Sequence, residues 1–209
     1  MGDRAVLFID GNNWYHFMMS AGVTDPLQLS YVKISEKLIG PRDWVGTRYY
    51  IGALKQDWNP TDYANQRMFL DKIKQEDPRI SIHLGRLEER RLKNPLANEL
   101  AGLLAEGKIP APLRASIRQL VAKYGSVKTL VEKAVDVHLA IDMVEMALAD
   151  EYDCAYLLSA DGDMTPAVQS VIRHGKKVYI ASPGFSSQLE QVSNTFIRLR
   201  KEWFLDCYD

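Results

Sequence analysis

Cysteine is scarce in this sequence. Of 209 residues only Cys154 and Cys207 are cysteines, too far apart to form a disulfide framework or a local metal pattern, which suits a reducing compartment and leaves both as packing residues. With no cysteine-histidine set, a zinc site is excluded. No apolar run approaches membrane-spanning length, and the opening Met-Gly-Asp-Arg-Ala-Val-Leu leads into a strand-like segment without a signal-type apolar stretch. Val6 stands where a myristoylation signal needs serine or threonine. These absences predict a cytoplasmic protein without a membrane partner. Neither common glycine-rich nucleotide loop occurs, and no repeat, low-complexity tract or linker interrupts the chain.

Charge of either sign is not in excess. The formal net charge is −1, which argues against a generally basic nucleic-acid coat, but net charge hides distribution. Between Arg86 and Lys133 there are ten Lys or Arg against five acids, leaving 16 basic and 22 acidic residues elsewhere. The 46% apolar and 25% charged shares are those of an ordinary globular protein. At 23.7 kDa the chain is long enough for one sizeable core and too short for two full domains.

Strand and helix signals alternate. Strands are predicted at Ala5 to Ile9, Trp44 to Leu54, Ile80 to Leu84, Cys154 to Ser159 and Lys177 to Ala181, with an edge strand at Phe196 to Leu199. Helical patterns lie between them, stopped by Gly40-Pro41, Asp77-Pro78 and Gly175. Alternation of this kind predicts a mostly parallel sheet with right-handed crossovers. Residues 86–128 break the rhythm: Asn94-Pro95 opens one helix with a stripe of Leu96, Leu100, Leu103 and Leu104, and a second carries Leu113, Ile117, Leu120, Val121 and Tyr124. We therefore expect one domain over residues 1–209 with a helical insertion at about 86–128. The basic residues of the insertion either line a nucleic-acid path or form a solvated amphipathic face. The hairpin also offers a surface for homodimerisation.

Acids recur at predicted strand ends. Asp10 closes the first strand, followed by Gly11, Asn12 and Asn13; Asp161, Gly162 and Asp163 follow the fourth, ahead of the helix opener Thr165-Pro166. Open α/β sheets place their ligands at such carboxyl ends, although Asp10 and Asp163 could equally be helix caps. Val135 to Leu148 is apolar almost all round and predicts a buried helix. At about 100° per residue, Asp136 shares a face with Ala140, Met143 and Ala147, while His138, Asp142 and Glu145 gather opposite as a solvent-facing stripe. Clustered carboxylates without basic partners are costly at neutral pH unless they share a cation. One or two Mg²⁺ or Mn²⁺ ions suit the oxygen donors, and such a centre suits phosphodiester cleavage by a metal-activated water.

Three stretches carry a family resemblance: Phe-Ile-Asp-Gly-Asn-Asn at 8–13, Lys-Ala-Val-Asp-Val-His-Leu-Ala-Ile-Asp at 133–142, and Leu-Leu-Ser-Ala-Asp-Gly-Asp-Met-Thr-Pro at 157–166. In that order, with Gly-Lys-Lys-Val-Tyr-Ile at 175–180, they resemble the NYN domain, specifically its LabA-like branch. The resemblance covers most of the chain outside the insertion. It implies an α/β, three-layer Rossmann-like (PIN-like) sandwich and a metal-dependent ribonuclease site. By that resemblance Asp10 is the first-strand metal ligand, Asn13 a polar helper, Asp136 the central acid and Asp161 with Asp163 the late pair. Asp142 matches a recurrent family acid but lies on the other side of its helix from Asp136.

The leading expectation is thus a Mg²⁺- or Mn²⁺-dependent endoribonuclease acting on single-stranded or structured RNA, the alternative a catalytically silent RNA-binding or regulatory module of the same fold. An aspartyl-phosphate phosphatase of the haloacid dehalogenase type would need an acid two residues after its nucleophile, where Asn12 stands.

Overall fold

Every residue from Ala5 to Asp10 is buried, because strand β1 (Arg4–Asp10) has parallel neighbours on both sides, β2 (Asp43–Ala53) and β5 (Cys154–Leu158). The computed structural model describes residues 2–208, the side chains at positions 91, 93, 127, 128 and 130 excepted. Outward on one side of β1 lie β2, β3 (Ile80–Lys93) and β4 (Ser126–Lys133); on the other lie β5, β6 (Lys177–Ser182) and β7 (Thr195–Arg198). The result is a seven-stranded, mostly parallel sheet in the order β4-β3-β2-β1-β5-β6-β7.

Period-two alternation sends β1 side chains to two separate cores. Ala5, Leu7 and Ile9 pack on Trp14 and Met18 of α1 (Gly11–Ser20), Ile34 of α2 (Tyr31–Ile39) and Phe69 and Ile73 of α3 (Pro60–Glu76). Val6 and Phe8 pack on Leu139 and Met143 of α6 (Val135–Leu148) and Val168 and Val171 of α7 (Thr165–Arg173). Each fully buried large apolar side chain contributes about 1.5–3 kcal/mol, so the central strand is anchored from both faces. Helix starts are satisfied locally: Asn59 caps α3 through the amides of Thr61 and Asp62, and Glu76 accepts from the amides of Tyr31 and Val32 at the start of α2.

The chain divides into two compact units, one comprising the residues up to Arg86 and from Lys133 onward, the other Leu87–Glu132. The second unit holds the outer part of β3, helices α4 (Pro95–Ala105) and α5 (Ala111–Tyr124), and β4 up to Glu132. Asn94 caps α4 through the amides of Leu96 and Ala97, with Pro95 in the first turn, as its sequence predicts. Two expectations are corrected here. The third strand continues to Lys93 instead of ending at Leu84, and the segment is not purely helical, because β4 follows the hairpin. Leu92 in this region is 56% exposed, and a ribbon with little buried face carries little of the alternation by which strands are recognised. Arg114 donates to the carbonyls of Ile109 and Gly107, so this cation staples the interhelical turn. No α5 residue among those described is buried.

Helix α6 has the predicted bounds but not the predicted all-round burial. Leu139, Met143 and Ala147 are buried, whereas Val137, Ile141 and Leu148 are 57%, 46% and 59% exposed. Eight α-helices are described; the last, α8 (Ser187–Val192), lies between β6 and β7.

Candidate metal centre

Because β1 and β5 run parallel as neighbours, their carboxyl ends lie side by side, and both expected acid sites fall there. Asp10 is 3% exposed. One of its oxygens, Oδ1, accepts the Asn13 amide at 3.2 Å and so caps α1; the other, Oδ2, accepts the Ser159 hydroxyl at 3.0 Å. The helix-cap role therefore occupies one oxygen only. Gly11 is required here, since a Cβ would lie 2.5 Å from the Tyr49 ring.

Ser159, fully buried, is the hub that sequence reasoning passed over. Its Oγ lies 3.0 Å from Asp10 Oδ2 and 3.1 Å from Asn13 Oδ1, and it accepts the Asp161 amide at 3.0 Å. One hydroxyl thus ties three of the expected site residues. Its only sequence signal is position, a serine directly after an apolar strand. Asn13 Oδ1 also accepts the Ala160 amide at 2.9 Å, which fixes the amide plane and turns Nδ2 away from Ala160.

Asp161 Oδ1 accepts the Asp163 amide at 2.9 Å, closing a 3₁₀ turn over Gly162–Met164. The helix cap here is therefore Asp161, not Asp163: α7 starts at Thr165 with no side-chain cap. A Cβ on Gly162 would lie 1.9 Å from Gln188 Oε1, so glycine lets the turn sit under that side chain. Asp161 is half-buried and Asp163 exposed.

The fourth acid arrives from across the fold. Asp136 stands in the first turn of α6, and a carboxylate oxygen of Asp136 lies within 4.8 Å of one of Asp10. Residue 134, just before the helix, is an alanine held at φ 68°, in the left-handed region, a conformation that costs an L-residue roughly 1–2 kcal/mol. Loss of hydration, then the charges of Asp161 and Asp163, push the Asp136 carboxyl above its usual range. A helix amino terminus would pull it down by an amount worth about 0.3–1 kcal/mol; desolvation and like-charge crowding outweigh that pull. The Asp10 and Asp136 donors are hard oxygens within 4.8 Å of one another, with the charges of Asp161 and Asp163 felt at Asp136, and such a set fits a divalent cation. Asp10, Asn13, Asp136, Asp161 and Asp163 are thus gathered in one region.

Asp142 belongs elsewhere. Its Oδ2 accepts the Tyr50 hydroxyl at 2.7 Å and Arg48 Nη2 at 3.1 Å, while His83, stacked on Tyr50 with centroids 4.7 Å apart, places Nδ1 at 3.7 Å. The expectation that this side of α6 is solvent-facing is corrected at Asp142: it is half-buried and ties α6 to β2.

Comparison with known proteins follows the same lines. A model of the NYN domain matches residues 4–200. An uncharacterized protein of Methanocaldococcus jannaschii is 34% identical over 74 residues, a match spanning 34% of this chain and 31% of that protein. The match therefore spans less than a third of that relative's length. A crystal structure of a Vibrio parahaemolyticus protein of unknown function superposes with a TM-score of 0.57 at 18% identity, covering 94% of this chain and 92% of that one; this likeness concerns the fold alone.

Proposed function

The chain belongs to the NYN domain family, and from that premise we propose that it is a divalent-metal-dependent endoribonuclease of the LabA-like branch whose centre is formed by Asp10, Asp136, Asp161 and Asp163. Two observations support the reading: carboxylate oxygens of Asp10 and Asp136, far apart in the chain, lie within 4.8 Å of one another, and loss of hydration, then the charges of Asp161 and Asp163, push the Asp136 carboxyl upward. Magnesium or manganese bound there would lower the pKa of a water and offset charge on the scissile phosphate. The protein's own residues supply the placement. Asp10, buried and tied to Ser159 and Asn13, holds its oxygens in fixed directions. Asn13, its amide oxygen engaged, presents Nδ2 to orient a water or a phosphate oxygen. Asp136, Asp161 and Asp163 complete the oxygen set in this reading.

The substrate in this reading is RNA, single-stranded or structured, and residues 1–209 act as one NYN domain in the cytoplasm. No helix among the described residues is long and apolar enough to cross a membrane. The test is cleavage of labelled RNA by purified protein. Activity that requires Mn²⁺ or Mg²⁺, stops with EDTA and is lost in Asp161→Asn supports the assignment. Cleavage surviving both treatments would overturn it, and metal-independent binding without cleavage would make the protein a silent RNA-binding module.

A further inference from the structure

The carboxyl end of β7 lies on the same sheet edge as the acids, because β1, β5, β6 and β7 are successive parallel neighbours. At about 4.8 Å per strand, the end of β7 is roughly 10 Å from that of β5. A groove of about 610 Å³ opens there, its lining including Phe17, Arg198, Arg200 and Lys201. Its one acid is Glu202. The three cations are exposed and make no ion pair among the described residues. Exposed basic side chains without acidic partners retain their full charge for an external anion.

An aromatic face stands beside them. Phe185 is 50% exposed, its ring 5.6 Å from that of Phe196 and 5.9 Å from the Arg198 guanidinium. Three residues after Phe185, in the first turn of α8, stands Gln188, whose side chain lies against Gly162 between Asp161 and Asp163. One short connection therefore links the acid-rich end of β5 to the aromatic and basic end of β7. Cations that follow a backbone, alternating with an exposed ring, are the elements by which single strands are held without sequence preference.

We propose that the β6–β7 edge is a single-stranded RNA subsite, in which Phe185 stacks on a base and Arg198 and Arg200 hold the phosphates flanking the bond presented to the acids. Its role in cleavage rests on the nuclease reading; the binding itself does not.

The test is binding of fluorescein-labelled single-stranded RNA to the full chain in EDTA, followed by anisotropy over a range of salt. The double change Arg198→Gln with Arg200→Gln is expected to weaken binding about tenfold and to flatten the plot of log affinity against log salt by about 1.4, since each lost phosphate contact on a single strand removes about 0.7. Phe185→Leu, which keeps an apolar contact to Phe196, is expected to weaken binding at least about fivefold with the salt slope unchanged, and Phe185→Tyr to retain affinity. Arg67→Gln with Lys74→Gln, the same charge removed from exposed positions on α3, serves as comparator and should bind like the wild type. Groove variants with wild-type affinity and slope, or a comparator that loses as much, would overturn the proposal. A wild type that does not cut in Mn²⁺ while its groove variants lose affinity and slope as expected keeps this subsite and removes the nuclease reading; one that cuts while its groove variants bind normally does the reverse.

Discussion

Asp136 and Asp142 are carried by one helix, six positions apart, in opposite electrostatic surroundings. Asp142 meets a guanidinium and a phenol, and its charge is answered from within the protein. Asp136 is displaced upward in its titration by loss of hydration and then by the charges of Asp161 and Asp163. A carboxylate supplied with donors ties elements together. A carboxylate that loses hydration beside other carboxylates is held above its ordinary range instead, and that contrast separates a structural acid from a candidate ligand.

The strongest way to break the comparison is to exchange the outcomes. Asp10→Asn or Asp161→Asn should reduce Mn²⁺-dependent cleavage of labelled RNA by about 10²–10³-fold, the usual scale for losing one placed electrostatic group, whereas Asp142→Asn should stay within about tenfold of wild type. If Asp142→Asn were the inactive one, the roles assigned to the two acids would be reversed.

Ser159→Ala comes next. It removes the hydroxyl shared by Asp10 and Asn13 and the acceptor of the Asp161 amide, so metal affinity should fall by about 10–100-fold, as for other groups that orient ligands. Titration calorimetry with Mn²⁺ would measure it, and unchanged affinity would mean that Asp10 needs no such support.

Asp142→Ala, by contrast, should cost about 1–3 kcal/mol of stability by leaving Arg48 and Tyr50 without their acceptor, with the partial exposure of both ionic partners favouring the lower end. That corresponds to a fall of about 2–4 °C in Tm per kcal/mol for a chain of this size. Denaturant melts of Asp142→Ala and Asp142→Asn would read it, and an unchanged midpoint would make the cluster ornamental.

The pH dependence sharpens the contrast with a sign. Asp136 binds its proton more tightly folded than unfolded, so its contribution opposes folding above the raised pKa and vanishes below the ordinary carboxyl range. Asp77, held down to about 2 by Arg79, works the other way and loses stability as pH falls. The difference between wild type and Asp136→Asn isolates the first effect. Without metal, the variant should be the more stable at neutral pH, and the gap should close as pH falls into the carboxylate range; with Mn²⁺, the wild type alone should gain Tm. The smallest expected effect is Ala134→Gly, which relieves the left-handed alanine before α6 and should stabilise by about 0.5–1 kcal/mol in the same melts.

Much of this was readable along the chain. The bounds of α6 and the starts of β1, β5 and β6 follow from apolar runs flanked by glycine, proline and acids, because local pattern and burial agree there. The outer part of β3 and all of β4 were not, since none of the described side chains between Glu88 and Leu92 is buried and no alternation marks the strand. At the site, Asp10, Asp136, Asp161 and Asp163 stood out as acids in apolar settings. Ser159 did not, because a hydroxyl has no signature until its partners are known. Asp142 was placed in solvent because Arg48 and Tyr50, its partners, lie on β2, more than ninety positions away.

By itself, the order of residues determined most of the strands and helices, the outer part of β3 and β4 apart, and that several carboxylates fall at their ends; both are local consequences of side-chain period, caps and turn residues. Only the tertiary structure decided which of those acids share a neighbourhood. Parallel pairing sets the end of β1 beside that of β5, and the packing of α6 on β1 and β2 brings Asp136 to Asp10 while giving Asp142 to Arg48. The physical reason is that electrostatic interaction depends on separation in space and on local hydration, and neither is written in the spacing of residues along a chain.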